Sequence, residues 1–154
     1  MDTYSEAIAV MDEQFGHDVV MTLATVNGSQ ANVRTVNAYY RDGAFYVTTY
    51  DVSSKMKEIG ANPSVALCHS LFVAHGRGTN LGNPLAAGNE TLRDELRQVF
   101  CAFYDRHVNE PDPHTCILKV DLTDAVVFTE NAKYAIDFSG KTAEKTPFVN
   151  DIVY

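Results

Sequence analysis

Cations are outnumbered in this sequence. Twelve Lys and Arg face twenty Asp and Glu, for a formal net charge of −8. Such a chain is not expected to bind nucleic acid, because non-specific binding rests on cationic contacts to phosphates. Nor is it expected to dock on an anionic membrane surface. No apolar run approaches the roughly 20 residues of a membrane span. Cysteines are few and scattered: Cys68, Cys101 and Cys116, with no C-x-x-C. Isolated thiols in odd number point to a reducing compartment. The acidic stretch Met1–Phe15 lacks the pattern of a signal peptide, so the cytoplasm is the expected location. Repeats, low-complexity tracts and linkers rich in Pro, Gly or Ser are missing too. Residues 1–154 therefore read as a single domain, long enough to bury a core, with 45% hydrophobic and 21% charged residues.

Several chemical signatures are absent as well. There is no G-x-x-x-x-G-K-[ST] loop, and no G-x-G-x-x-G opens a helix, so neither a P-loop nor a Rossmann site is supported. No G-x-S-x-G occurs. His69 and His75 share strand parity, and His114 and Cys116 form an i, i+2 pair. Two ligands fall short of the three or four a metal needs, so no metal is expected. Nothing in the local sequence clearly supplies Cys68 or Cys116 with the basic neighbour a nucleophile needs.

What the sequence does contain is a clear order of elements. Thr3–Phe15 reads as a helix, with Tyr4, Ile8, Met11 and Phe15 on one face, a Thr3/Glu6 capping box and Gly16 at its end. Val19–Val26, Ala31–Arg41 and Ala44–Tyr50 read as strands joined by tight turns at Asn27-Gly28 and Asp42-Gly43. Ser54–Ala61 reads as a short helix stopped by Asn62-Pro63. Strands over Ser64–Ala74 and Gly76–Leu81 follow, then a long helix capped by Asn89 and running to Arg106. His114–Leu122 is a sixth strand and Ala125–Thr129 a possible seventh, while Tyr134–Phe138 fits a strand or a surface segment. The expected class is α+β: an antiparallel sheet of six or seven strands, closed into a small barrel to remove its edges, with flanking helices.

The chemistry concentrates between Arg34 and Pro63. Arg34 stands in the interior of a strand, where an arginine is either on the solvent face or holding a partner. Its strand and the next mix hydroxyls and amides with apolar groups, which suits a flat ligand with polar edges or a half-exposed sheet. The helix from Ser54 carries Lys55 and Lys57 in its first turn, at the positive end of the helix dipole. A bound anion would make that placement favourable, with Ser53, Ser54 and backbone N–H groups helping. Alternatively, Asp51 and Glu58 balance the lysines on the surface. If Arg34 and the lysines share one ligand, a phosphate fits.

Taken in order, Arg34-Thr-Val-Asn37, Phe45-Tyr-Val-Thr-Thr49, Ser53-Ser-Lys55, Lys57-Glu-Ile-Gly-Ala-Asn-Pro63 and Val65-Ala-Leu67 resemble the FMN-binding split barrel of the pyridoxamine-phosphate-oxidase-like superfamily. Phe72-Val-Ala-His-Gly76 resembles the family's next strand pair. The resemblance implies that Arg34 and Lys55 bind the FMN phosphate with Ser54. It implies that Thr35, Val36 and Asn37 line the ring, and that Val47, Thr48 and Thr49 contact the isoalloxazine edge and ribityl chain. It further implies a homodimer, with residues near Arg77–Asn80 of the other subunit completing each site. The activity so implied is an FMN-dependent oxidoreductase, moving electrons between a reduced nicotinamide or protein donor and a small acceptor. A non-catalytic module holding flavin, deazaflavin or haem is the alternative. Pyridoxamine-phosphate oxidases carry Arg directly before the lysine, where Ser54 stands here, and end in a basic, Trp-containing segment. This chain has no Trp and its Thr146–Tyr154 tail is not basic, so vitamin B6 oxidation is not expected. No catalytic acid or base stands out.

Overall fold

The computed structural model describes residues 1–149; residues 150–154, within the Thr146–Tyr154 tail, lie outside the described residues. Helix α1 (Thr3–Phe15) is followed by strands β1 (Val19–Asn27), β2 (Gln30–Arg41) and β3 (Ala44–Tyr50), which form the expected meander. Gly28 and Gly43 take positive φ values of 60° and 82°, the conformation that tight hairpin turns demand. The α1 cap differs from the expected box by one residue: Asp2, not Thr3, accepts from Ser5 N at 2.7 Å. Aspartate is as good a cap as threonine, and starting one residue earlier satisfies a further orphan donor.

Helix α2 (Ser54–Ala61) leads to β4 (Ser64–His69) and β5 (Phe72–Asn80). The turn between these strands lies at Ser70-Leu71, not near His75 as expected. Ser70 supplies the positive φ, 55°, with no glycine to announce it. Gly76 sits within β5 instead, beside a bulge, because a Cβ there would lie 2.6 Å from the Asp121 carbonyl oxygen. The long helix expected over Asn89–Arg106 is two, α3 (Glu90–Val99) and α4 (Tyr104–His107). The Asn89 side chain does not cap; it donates to the carbonyls of Leu81 and Asn83. The break swings Tyr104 into contact with Glu110, which accepts its hydroxyl at 2.9 Å. Last come β6 (Thr115–Phe128), continuous where two strands were expected, β7 (Ala132–Asp137) and β8 (Thr142–Pro147).

The sheet order is β3-β2-β1-β4-β5-β6, closed by antiparallel pairing of β3 with β6 from Ala44↔Asp121 to Tyr50↔Thr115. Six strands thus form an antiparallel barrel, and β7 and β8 extend the sheet outside it. The barrel interior is filled by alternate residues such as Leu23, Phe45, Leu67 and Leu118, all at most 2% exposed. Helix α1 packs Ala7, Met11 and Phe15 into this core, while α2 contributes Met56 and Ile59. A second cluster lies outside the barrel, where Leu96, Phe100 and Tyr104 cover Tyr39, Tyr46 and Ile117. No helix among the described residues is long and apolar enough to cross a membrane.

Candidate functional site

Strand parity explains where Arg34 goes. Val36, Ala38 and Tyr40 of β2 face the barrel core, and Arg34 and Asn32 continue the same inward row toward the end that α2 closes. A guanidinium there must find partners. Its Nη1 donates to Thr25 Oγ1 at 2.5 Å and to the carbonyls of Leu23 and Asn32 at 3.4 Å. Its Nη2 meets Glu58 Oε2 at 3.4 Å. Glu58 also accepts from Asn32 Nδ2 at 2.6 Å and from the Thr25 hydroxyl at 3.3 Å.

Helix α2 supplies the other cation. Ser53 is its N-cap, accepting from Met56 N at 3.4 Å, and no acid occupies its first turn. Lys55 folds back onto β3, where Nζ donates to Thr49 Oγ1 at 2.9 Å. Burial, and then the nearby charge of Arg34, hold its pKa below the usual 10.5. In the unfolded chain that shift disappears. The charged lysine therefore costs stability at all pH values below its folded pKa, and the cost is relieved as pH climbs from there toward 10.5. The expected result is that the ε-methylene of Lys55, followed by NMR, titrates ahead of the exposed lysines; simultaneous titration would contradict its burial. The buried Cys116 thiol is pushed up to about 11, chiefly by burial, which removes it as a nucleophile near neutral pH.

Arg34, Ser54, Lys57 and Glu58 border a groove of 490 Å³ beside the start of α2. Thr48 and Thr49 line a separate 150 Å³ cavity against Phe103 and Val108. Of the remaining residues singled out in the sequence, Val36 and Val47 bury their side chains in the core and offer a ligand only backbone. Asn37 donates its amide to Asp18 at 2.9 Å, and Thr35 is exposed on the outer face of the sheet. The structure thus gathers Arg34, Ser54, Lys55 and Thr49 at one barrel end and leaves Thr35, Val36, Asn37 and Val47 outside that cluster. A larger concavity of 760 Å³ lies at the opposite end, near His69, Phe72 and Phe128. Its lining carries Glu130 and no Lys or Arg, so it does not suit a phosphate.

Glu58, Asn32 and Thr25 are the members of the cluster whose role the sequence did not reveal. Asn32 shares strand parity with Arg34, which is the one local signal for it. Glu58 is 24 residues from Arg34, and only the fold brings them together.

Many solved structures share this architecture. One is a FAD-binding protein from Mesorhizobium loti, 20% identical over 79% of this chain and 90% of that one, with a TM-score of 0.61. Another is a pyridoxamine 5'-phosphate oxidase-related, FMN-binding protein from Nostoc punctiforme, 15% identical over 96% and 97%, with a TM-score of 0.58. The fold is the pyridoxamine 5'-phosphate oxidase-like split barrel. A NimC/NimA family protein from Clostridium acetobutylicum has the same split barrel, at 15% identity over 96% and 95% and a TM-score of 0.57. No family model matches the sequence, and no curated protein matches it. The split-barrel likeness is one of fold, reached at identities too low to carry residue roles across.

Proposed function

We propose that this chain is an FMN-dependent oxidoreductase that works as a homodimer, taking electrons from a reduced nicotinamide or a protein donor and passing them to a small acceptor. The observation that carries the reading is the meeting of Arg34, Lys55 and Ser54 at the start of α2, next to a groove, on a barrel shared with FAD- and FMN-binding proteins. In an acidic protein, such a local concentration of donors suits a phosphate tail. Ser54 and Arg34 would hold the phosphate from the groove and Lys55 from the Thr49 side. Thr48 and Thr49 offer hydroxyls for the polar edge of the bound group. The flavin supplies the hydride and electron chemistry, and the protein contributes binding, orientation and electrostatics.

A second copy of the chain fits the outer face of the sheet. Thr35, Thr22, Cys68, Val73, Val126 and Ala135 stand directly across from one another in register, an uncharged row spanning six strands. Val20, Val33 and Val73 on this face are 55%, 68% and 45% exposed. The helices pack at the barrel ends and over the β2–β3–β6 side, so this row is left for a partner. An uncharged row on a chain of net charge −8 suits self-association through contact that needs little charge complementarity.

The test is a titration with FMN followed by anaerobic mixing with NADH or NADPH. Tight binding and bleaching of the yellow absorbance is the expected result. Binding with no bleaching by either nucleotide or by a reduced protein donor would leave a flavin-holding module. No binding would sink the proposal.

A further inference from the structure

The barrel end where Arg34 sits already holds an anion of its own. Glu58 keeps only 10% of its side chain exposed, a costly position for a carboxylate unless it is compensated. The compensation is specific. Asn32 Nδ2 donates to Oε1 at 2.6 Å, and Arg34 Nη2 approaches Oε2 at 3.4 Å. Thr25, fully buried, links the pair by accepting from Arg34 at 2.5 Å and donating to Glu58 at 3.3 Å. Among the described residues, every hydrogen bond that the Arg34 Nη atoms make is therefore internal to this cluster. Yet both Arg34 and Glu58 line the 490 Å³ groove. An anion entering it meets a guanidinium whose charge is already answered, with a carboxylate beside it.

We infer that Glu58 is the resident counter-ion of Arg34 and sets the affinity and charge selectivity of the groove for phosphate-bearing ligands. This rests on the reading of the groove as the phosphate end of a flavin site, and adds to it the residue that tunes that end. A ligand phosphate must draw Arg34 away from Glu58 and then sit near a like charge, so its binding is weaker than the cations alone would give. A ligand with no phosphate is indifferent to the exchange.

Glu58→Gln tests this in the full chain, because it removes the charge while keeping the shape and an acceptor for Asn32. FMN is expected to bind the variant at least tenfold more tightly than the wild type, a change of about 1.4 kcal/mol. Riboflavin should change by less than about threefold, since it lacks the phosphate that competes for Arg34. Inorganic phosphate should raise the melting temperature of the variant more than that of the wild type, and adding Arg34→Ala should erase that gain. Glu58→Ala serves as a second charge-removing variant; if neither folds, Glu58 is a structural residue and the inference is overturned. Equal FMN affinity in folded variant and wild type overturns it too, and leaves the flavin reading intact. If neither protein binds FMN but phosphate still stabilises the variant more, the flavin reading fails and the counter-ion role stands. Equal stabilisation by phosphate, with no FMN binding, defeats both.

Discussion

Replacing Arg34 by alanine should weaken FMN binding on the order of 100-fold and leave riboflavin within about threefold, because a hydrogen bond to a charged group contributes about 1.5–3 kcal/mol and the guanidinium can form two. The side chain is 21% exposed, so solvent screening takes part of that sum. A second effect works in the same direction. Without Arg34, Glu58 keeps its charge beside the groove with only Asn32 and Thr25 to answer it, and a phosphate would face repulsion with no attraction. The comparison of two flavins separates this from general damage. A misfolded barrel loses both ligands alike, whereas a lost phosphate contact spares riboflavin. Isothermal titration with each flavin decides the matter, and equal loss of both would remove Arg34 from the phosphate site.

The largest effect on stability is expected at Phe45. Its side chain is fully buried, with ring centroids of Phe15, Tyr40 and Phe72 at 5.8, 5.6 and 6.0 Å. It therefore ties α1, β2 and β5 to the strand that closes the barrel against β6. Phe45→Ala removes the ring and leaves a cavity that four elements would have to collapse to fill, so a loss of about 3–5 kcal/mol is expected. At about 2–4 °C per kcal/mol for a chain of this size, the melting temperature should fall by roughly 6–20 °C. Total stabilities of about 5–15 kcal/mol leave the variant marginal. A loss under about 1 kcal/mol in urea unfolding would mean that the barrel relaxes around the gap in a way its packing does not suggest.

The meander was legible because its signals are local. Asp42 and Gly43 both take positive φ and end β2 where the turn chemistry puts it, whereas the β1–β2 turn falls one residue later than Asn27-Gly28 suggests, at Gly28-Ser29, with Asn27 still paired in the strand. The β4–β5 turn was not legible, because Ser70 adopts a positive φ without a glycine while Gly76, the obvious punctuation, serves close approach to β6. Periodicity joined α3 to α4, since a stripe through Leu96, Phe100 and Tyr104 is preserved when a helix stops and restarts on nearly the same face. The site divides in the same way. Lys55 and Ser54 declare themselves through an unusual helix start, and Arg34 through its place in a strand. Glu58 looked like surface compensation for Lys55 and Lys57. Its true partner is on a strand, and a pairing between a helix and a strand leaves no periodic trace.

Closing the barrel leaves β8 at the border of the sheet. Among the described residues it pairs only with β7, and it is mostly exposed. A strand from another molecule could add there only by lying against Glu144 and Lys145 and by finding no N–H at Pro147. Growth of the sheet from chain to chain is thereby discouraged, which matters for a protein whose outer sheet face carries an uncharged row across six strands. In the homodimer proposed above, stacking face against face would close after two molecules, whereas lateral extension has no natural end.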